Sequence, residues 1–353
     1  MNKLKKHTKV DFATYLGVIA AWGLVMLAQS QHWLGRSTMG LLVPICCYVV
    51  MAISLNLTVG IMGELSLGHA GFMGVGAFTG VIVSQSLAVS VASPTLRLVL
   101  AMVIGAVLAG ITGFLIGIPV LRLRGDYLAI VTLAFGEIIK ELITCLIVGH
   151  DENGLHIVFN YNGLKGADDL NMTPAGKIII KGAQGATGTE TIATFTAGVI
   201  LILVALVIVL NLIHSRTGRA VMALRDNRIA AESVGIPVTR YKMTAFVISA
   251  AIAGSAGALY GLNYSNLVAS KFDFNTSILV LVFVVLGGLG NMWGSIIAAV
   301  VLYVLPEELR ALGNLRMLIY AVVLIAVMLG TNSAGGRALF AKLIPHRKKR
   351  EEV

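Results

Sequence analysis

Apolar stretches of about twenty residues recur along most of the chain and are separated by short polar breaks. A transmembrane helix needs about 20 mainly apolar residues, so most of these stretches are long enough to cross a membrane. The predicted spans lie at residues 12–28, 40–59, 67–87, 98–121, 127–148, 191–213 and 243–260, within 277–305, and at 317–329. The chain is therefore predicted to be all-α, a polytopic transmembrane helical bundle with its membrane domain at residues 12–333.

Lysine and arginine residues near the ends of the spans predict the orientation, because such residues are retained in the cytoplasm. Four lysines lie within residues 1–11, and a second basic cluster lies within residues 334–353, so both termini are expected inside. With both termini inside, the number of spans must be even, so the stretch at 277–305 must cross the membrane twice. We therefore predict a break at its Gly-rich centre, residues 287–294, and about ten spans in all. The first span is expected to stay uncleaved, because Met26 stands where signal cleavage needs a small side chain.

Composition agrees with a membrane protein and argues against a nucleic-acid partner. Apolar residues make up 57% and charged residues 12% of the chain, against roughly 45–50% and about 25% in soluble proteins. The net charge of +10 comes from residues between spans and at both ends, not from one basic domain. Cys46, Cys47 and Cys145 lie in apolar stretches, so neither a disulfide framework nor a metal site is predicted.

One long polar segment, residues 150–190, interrupts the apolar pattern. It carries five acidic residues against three lysines, together with repeated glycines. Its acidic excess fits the outer face of the membrane. We therefore predict an extracytoplasmic loop, ordered or semi-ordered, with too few apolar residues to form a core of its own.

Glycine recurs through residues 56–78, between two apolar spans. Such spacing lets helices approach closely or lets the backbone leave helical geometry, and Glu64 and His69 add ionisable groups near membrane depth. Two interpretations stay open. The stretch is either a tight helix contact with Glu64 at the cytoplasmic interface, or one wall of a substrate pathway.

A basic segment follows the sixth predicted span and is too polar to cross the membrane. Val221, Leu224 and Arg225 would share one helical face, as would Ala231 and Val234. A short amphipathic cytoplasmic helix is therefore predicted, with a stop at the glycine and proline that follow it. It is either a basic loop lying on the lipid headgroups or a helix shaped for a groove in a partner protein.

Glu137, Lys140 and Glu141 fall on one helix face, where Lys140 can pair with either acid and lower the cost of placing charge in lipid. A structural ion pair and a pathway role both stay open for this group. Asn291 and Trp293 lie in the predicted break. A tryptophan there is more often an interfacial anchor or a packing residue than a ligand contact.

Four blocks of the sequence, at residues 56–78, 122–137, 219–246 and 287–294, resemble in the same order the permeases of branched-chain amino acid ABC importers, specifically the LivM-like branch. The resemblance runs from about residue 44 to residue 329. It implies a multi-pass protein of the bacterial cytoplasmic membrane that moves branched-chain or other hydrophobic amino acids.

The resemblance also implies that the cytoplasmic loop at residues 214–242 couples to an ATPase. Residues 230–235 are similar to the importer motif with Glu, two Ala and a spaced Gly, although here the glutamate follows the alanines. The implied coupling residues are Arg219, Leu224, Arg225, Asp226, Asn227, Ala231, Glu232 and Gly235. The implied pathway residues are Asn56, Glu64, His69, Gly71, Glu137, Gly288 and Asn291.

The partners implied are two cytoplasmic ABC ATPase subunits, a second LivH-like permease and an extracytoplasmic substrate-binding protein, with membrane lipid around the bundle. The sequence contains no G-x-x-x-x-G-K-[ST] loop, so ATP and Mg²⁺ are expected in the partner subunits and no cofactor in this chain. It also lacks H-E-x-x-H and G-x-S-x-G, so no catalytic residue is predicted, and the chain is expected to be a transport subunit.

Other functions stay open at this point. A urea or short-chain amide permease shares the general plan, although His69 stands where the urea branch tends to carry glutamine. An ion-coupled secondary transporter would use broken helices and the Glu137 group as its ion site. A membrane scaffold without transport activity is a third alternative.

Overall fold

The computed structural model describes residues 2–31, 35–88, 90–123, 125–152, 154–160, 170, 172–173, 176–313 and 315–332, so the predicted tail at 334–353 lies outside the described residues. The described α-helices are α1 Asn2–Ser30, α2 Arg36–Asn56, α3 His69–Ser86, α4 Pro94–Val120, α5 Asp126–Thr144, α6 Phe195–His214, α7 Arg216–Asp226, α8 Arg228–Ser233, α9 Val238–Gly261, α10 Phe274–Gly287, α11 Met292–Glu308 and α12 Leu315–Asn332. The described strands are β1 Leu146–Asp151, β2 Gly154–Phe159, β3 Lys177–Lys181, β4 Ala186–Thr187 and β5 Asn266–Leu267.

Helix α9 lies at the centre of the bundle, and α2, α3 and α4 pack around it. The crossings are close because small residues face each other there. Gly76 of α3 and Gly105 of α4 both approach the backbone of Gly254 in α9. Lipid competes for apolar surface as well as a neighbouring helix does, so close van der Waals packing of this kind drives helix association in a bilayer.

Four helical stretches among the described residues are long and apolar enough to cross a membrane, namely Thr38–Ile61, Pro94–Val120, Phe195–His214 and Val238–Gly261. Helix α4 turns bulky apolar side chains outward, among them Val107, Phe114 and Leu115. An apolar exterior of this kind is suited to lipid contact rather than to water. The prediction of a helical membrane protein is therefore confirmed.

The predicted break at residues 287–294 is also confirmed. Helix α10 ends at Gly287 and α11 begins at Met292, and the two helices pack against each other. Gly288 and Gly290 have φ angles of 93° and 79°, which L side chains rarely adopt, so the tight turn depends on them. The N–H of Asn291 closes the turn by donating to the carbonyl of Gly288 at 3.0 Å.

An antiparallel sheet in the order β2-β1-β3-β4-β5 follows the C-terminal end of α5, and it corrects three predictions. The protein is not all-α, because residues 150–190 contain strands rather than only a loop. The span predicted at 127–148 ends as a helix at Thr144. The pairing joins segments far apart in sequence, such as Ala186 with Leu267, so local apolar patterns did not reveal it.

The chain between α2 and α3 leaves α-helical geometry inside the protein. A π-helical turn, Leu57–Ile61, continues α2, and residues 62–68 then form an irregular, partly buried connection. Leu67 N–H in this connection donates to Thr132 Oγ1 at 3.1 Å, and Ala70 N–H, in the first turn of α3, donates to Ser277 Oγ at 3.0 Å. Irregular backbone is tolerated at membrane depth only when protein or water satisfies it in this way.

Candidate functional site

The segment predicted as one amphipathic helix forms two helices, α7 and α8, which break at Asn227. Ser215 Oγ accepts a hydrogen bond from Gly218 N–H at 3.1 Å, and Asn227 Oδ1 accepts one from Ala230 N–H at 3.0 Å. These caps satisfy first-turn N–H groups that have no partner within a helix. Gly235 has a φ of 83° and ends α8, as the sequence predicted.

A small apolar core holds the two helices against the start of α9. Leu224 of α7, Ala231 of α8 and Val238 of α9 are buried together, with Ile236 and Tyr241 packed against them. We call α7, α8 and the first turn of α9 the α7–α8 unit. The unit therefore has a small apolar core of its own, while Val221 of α7 packs into the main core of the bundle.

Two large apolar side chains of the α7–α8 unit point away from this core. Ile229 is 80% exposed and Val234 is 74% exposed. The prediction that Ala231 and Val234 share a face is wrong, because α8 ends at Ser233 and Val234 no longer follows its period. Sequence analysis missed Ile229. The signal that could have found it is a β-branched apolar residue on a helix that is otherwise polar and small.

The charged coupling residues make local contacts on the same unit. Arg219 donates to the carbonyl of His214 at 3.0 Å, which caps the end of α6. Glu232 pairs with Arg228 one turn earlier at 2.9 Å, and Asp226 lies 3.8 Å from the Arg225 side chain. Exposed pairs of this kind contribute little to stability, so the fold of the unit does not depend on them.

Arg225 reaches from α7 to the end of α2. Its Nη1 atom donates to the carbonyl oxygen of Gly60, in the π-helical turn. Its Cγ atom fills the space beside Gly63, 2.6 Å from where a Cβ would lie. The side chain therefore links the position of the α7–α8 unit to the position of α2.

Asn56 joins α2 to the turn between α10 and α11. Its side chain is buried, and its Oδ1 accepts a hydrogen bond from Gly290 N–H at 2.8 Å while its Nδ2 donates to Ser295 Oγ at 2.9 Å. The backbones of Gly60 and Gly290 lie so close that a Cβ on Gly60 would come within 2.9 Å of the Gly290 Cα atom. Asn56 thus lies against the turn that contains Gly288 and Asn291, and a Cβ on Gly290 of this turn would lie 3.9 Å from Arg225 Nη1.

Glu64 forms a buried ion pair with Lys242 in the first turns of α9. The side chains are 15% and 8% exposed, so neither charge is well hydrated. Placing two charges at such depth is tolerable only because each neutralises the other. The pair ties the irregular connection of residues 62–68 to α9, just beyond the α7–α8 unit.

Replacing Lys242 with methionine is expected to lower the thermal stability of the protein. The substitution leaves Glu64 buried without its partner, and breaking a buried pair from one side costs about 3–5 kcal/mol. The midpoint of thermal denaturation in detergent measures the loss. The double change Glu64→Gln with Lys242→Met should recover most of it, and an equally unstable double variant would contradict this account.

His69 and Gly71 lie at the start of α3, away from the Asn56 group. His69 Nε2 shares a 2.7 Å hydrogen bond with Ser54 Oγ, and that hydroxyl also bonds to Ser249 of α9. Gly71 packs against Gly136 of α5, where a Cβ on Gly71 would lie 3.1 Å from the Gly136 Cα atom. These contacts favour the helix-packing interpretation for both residues.

Glu137 lies at a third place, where α5 meets the start of α10. One carboxylate oxygen accepts a hydrogen bond from Phe274 N–H at 3.1 Å, and the other pairs with Lys140. Lys140 Nζ also lies 3.5 Å from Glu141. Glu137 therefore both fixes the N-terminus of α10 and balances the charge of Lys140. Trp293, the other residue weighed from the sequence, packs against Gly17 of α1.

Comparisons with known proteins point to one family. The family model described as "Branched-chain amino acid transport system / permease component" matches residues 37–328. The high-affinity branched-chain amino acid transport system permease protein LivM of Salmonella typhimurium is 31% identical over 333 residues, which cover 91% of this chain and 75% of that protein. LivM of Escherichia coli strain K12 is 32% identical over 324 residues, covering 87% and 71% respectively.

A second group of relatives is more distant. The high-affinity branched-chain amino acid transport system permease protein LivH of Salmonella typhimurium is 24% identical over 259 residues, which cover 72% of this chain and 79% of that protein. No solved structure matches the chain. The relationship of this chain to known proteins therefore rests on sequence similarity alone.

Proposed function

The chain belongs to the family of branched-chain amino acid transport system permease components, and from this premise we propose that it is the transmembrane permease subunit of an ATP-driven amino acid importer. The cargo is a branched-chain or another hydrophobic amino acid, as the names of its LivM relatives suggest. ATP and Mg²⁺ bind in separate ATPase subunits, and this chain contributes no covalent chemistry.

The observation that carries the proposal is the α7–α8 unit. It is a small, packed body that exposes Ile229 and Val234 and reaches the π-helical turn after α2 through Arg225. A short helix with exposed apolar side chains is suited to a groove in a partner protein. A permanently solvated loop would gain nothing from exposing two large β-branched side chains.

The proposed assembly contains two ATPase subunits, a second LivH-like permease and an extracytoplasmic binding protein. The similarity of this chain to LivH supports a second permease in the assembly, because the two kinds of permease subunit would share one fold. We place the α7–α8 unit and both termini in the cytoplasm and the sheet outside, which gives about ten spans. The basic residues of α7 and α8 support this orientation.

The proposed mechanism uses the contacts of Arg225 and Asn56. When ATP binding closes the ATPase dimer, the α7–α8 unit moves together with the ATPase groove in which it is docked. The hydrogen bond from Arg225 to the Gly60 carbonyl then displaces the end of α2. The hydrogen bond from Gly290 N–H to Asn56 then carries that displacement to the α10–α11 turn. Packed elements with two discrete arrangements transmit such shifts well, whereas exposed loops do not.

Reconstitution tests the proposal. Proteoliposomes containing this chain, a LivH-like permease and the ATPase subunits are expected to accumulate labelled leucine only with internal ATP and external binding protein. Matched liposomes with an ATPase variant that cannot hydrolyse ATP are the control. Leucine uptake driven by an ion gradient without any ATPase would show instead that the chain is a secondary transporter. Uptake of urea or acetamide but not leucine would contradict the proposed cargo.

A further inference from the structure

Tyrosines concentrate where α2, α9 and α11 meet. Tyr48, Tyr260, Tyr264 and Tyr303 form a continuous chain of ring contacts, with centroids 4.9 Å apart for Tyr260 and Tyr264 and 4.7 Å apart for Tyr48 and Tyr303. Four of the nine tyrosines in the sequence thus lie in one cluster. Their hydroxyls also hydrogen-bond to one another, Tyr48 to Tyr260 and Tyr264 to both Tyr260 and Tyr303, so the cluster is a polar patch within the apolar bundle.

One cation lies against this tyrosine cluster. The Lys271 Nζ atom is 4.1 Å from the centroid of the Tyr264 ring. Lys271 belongs to the 3₁₀ turn Ala269–Phe272, which lies between α9 and α10 and outside the spanning helices. Tyr264, Tyr303 and Lys271 are only partly buried, so this side of the cluster is reachable.

The charged side chains at the start of α10 have partners of their own, whereas Lys271 pairs with no acid among the described residues. Lys140 pairs with Glu137 and Glu141. Asp273 accepts hydrogen bonds from Thr276 N–H at 3.0 Å and from Asn275 Nδ2 at 2.8 Å. Within the described part of the chain, Lys271 forms no ion pair. Its ammonium donors therefore remain available to an anionic ligand that approaches the Tyr264 ring.

We propose that Lys271 and the tyrosine cluster form a binding site for a monocarboxylate with an apolar side chain, the chemistry of a hydrophobic amino acid. The inference rests on the proposed function, because that function supplies such a ligand. The ammonium of Lys271 binds the carboxylate, and the rings of Tyr264 and Tyr303 contact the apolar side chain. A phosphate or a dicarboxylate would need more cations than this site offers.

The electrostatics of Lys271 favour an anionic ligand. Burial lowers the pKa of Lys271 below its ordinary value of 10.5. A carboxylate bound beside the ammonium would oppose that shift, because an opposite charge favours the charged form. Binding of a carboxylate would therefore stabilise the charged form of the lysine.

Direct binding tests the site without relying on transport. Saturation-transfer NMR is recorded on the assembled permease–ATPase complex in nanodiscs, without binding protein, using leucine, 4-methylpentanoate and leucinamide as probes. Leucine and 4-methylpentanoate are expected to bind. Leucinamide, which lacks the carboxylate, should bind about tenfold more weakly, the loss that follows from removing one charged hydrogen bond.

Variants then locate the site. Lys271→Met should weaken leucine binding about tenfold, down to the level of leucinamide, whereas Lys271→Arg should retain it. Lys181→Met, which removes an exposed lysine from β3, is the matched control and should bind normally. Equal binding of leucine and leucinamide by the wild-type complex would overturn the proposal, even if Lys271→Met failed to assemble.

Leucine uptake by the wild-type complex is measured in parallel, and it distinguishes a failure of the proposed function from a failure of the carboxylate site. Absent ATP-dependent uptake would count against the proposed function itself. Normal uptake together with unchanged leucine binding by Lys271→Met would count only against the carboxylate site.

Discussion

The double substitution Ile229→Asp and Val234→Asp is expected to abolish ATP-driven uptake while leaving the permease folded. Both side chains are largely exposed, so the fold does not depend on them. In a partner's groove, each apolar anchor is worth about 2 kcal/mol or more, and a buried aspartate adds a desolvation cost. Losing both anchors should weaken ATPase binding by about a thousandfold. Co-purification of the ATPase subunits and leucine uptake measure the effect.

Thr239→Asp provides a matched control for these substitutions. It adds one negative charge, against two in the double variant, to the α7–α8 unit at an exposed position in the first turn of α9, where an acidic residue is favourable. The control should retain both the ATPase subunits and uptake. If the double variant also retained them, α8 would not be the docking surface.

The membrane helices could be predicted because the signal for each one is local. Twenty apolar residues identify a span whatever packs against it. The break between α10 and α11 was also predictable, since Gly288 and Gly290 stand close together in an apolar stretch and parity required a turn. Helix ends were less accurate. Residues 146–148 continue the apolar run of α5 but belong to β1.

The sheet could not be predicted in the same way. Strand β4 has only two residues, and it pairs with β5 about eighty residues later in the chain. Neither strand is long enough to show a period of two. Strand β2 does alternate, with exposed side chains at Leu155, Ile157 and Phe159, but six residues within a glycine-rich segment resemble a loop. The fold of this segment is thus determined by partners rather than by local sequence.

In the candidate site, too, local features could be predicted from the sequence whereas long-range contacts could not. The end of α8 followed from the helix stop predicted at Gly235, but the break at Asn227 that separates α7 from α8 was not predicted. The contact of Arg225 with Gly60, and that of Asn56 with Gly290, join residues 165 and 234 positions apart. One sequence contains no signal for such pairs. Sequence analysis therefore placed Asn56 in a pathway and Arg225 in a coupling loop without relating them.

The Arg225→Met substitution is expected to uncouple ATP hydrolysis from transport. It keeps an unbranched apolar stem but removes the donor to the Gly60 carbonyl, a charged hydrogen bond worth roughly 1.5–3 kcal/mol. The α7–α8 unit keeps its core of Leu224, Ala231 and Val238, so the ATPase subunits should still bind. ATPase activity should persist within about twofold, while leucine uptake falls about tenfold or more, the range that this energy implies.

Arg219→Met separates coupling from a simple loss of charge. Arg219 lies on the same helix as Arg225, but its hydrogen bond goes to His214 at the end of α6 and does not reach the α10–α11 turn. This variant should keep the ratio of leucine transported to ATP hydrolysed near the wild-type value. A similar loss in both variants would mean that Arg225 acts through its charge alone. A lower ratio in Arg225→Met only would show that force passes from α7 to α2 at Gly60.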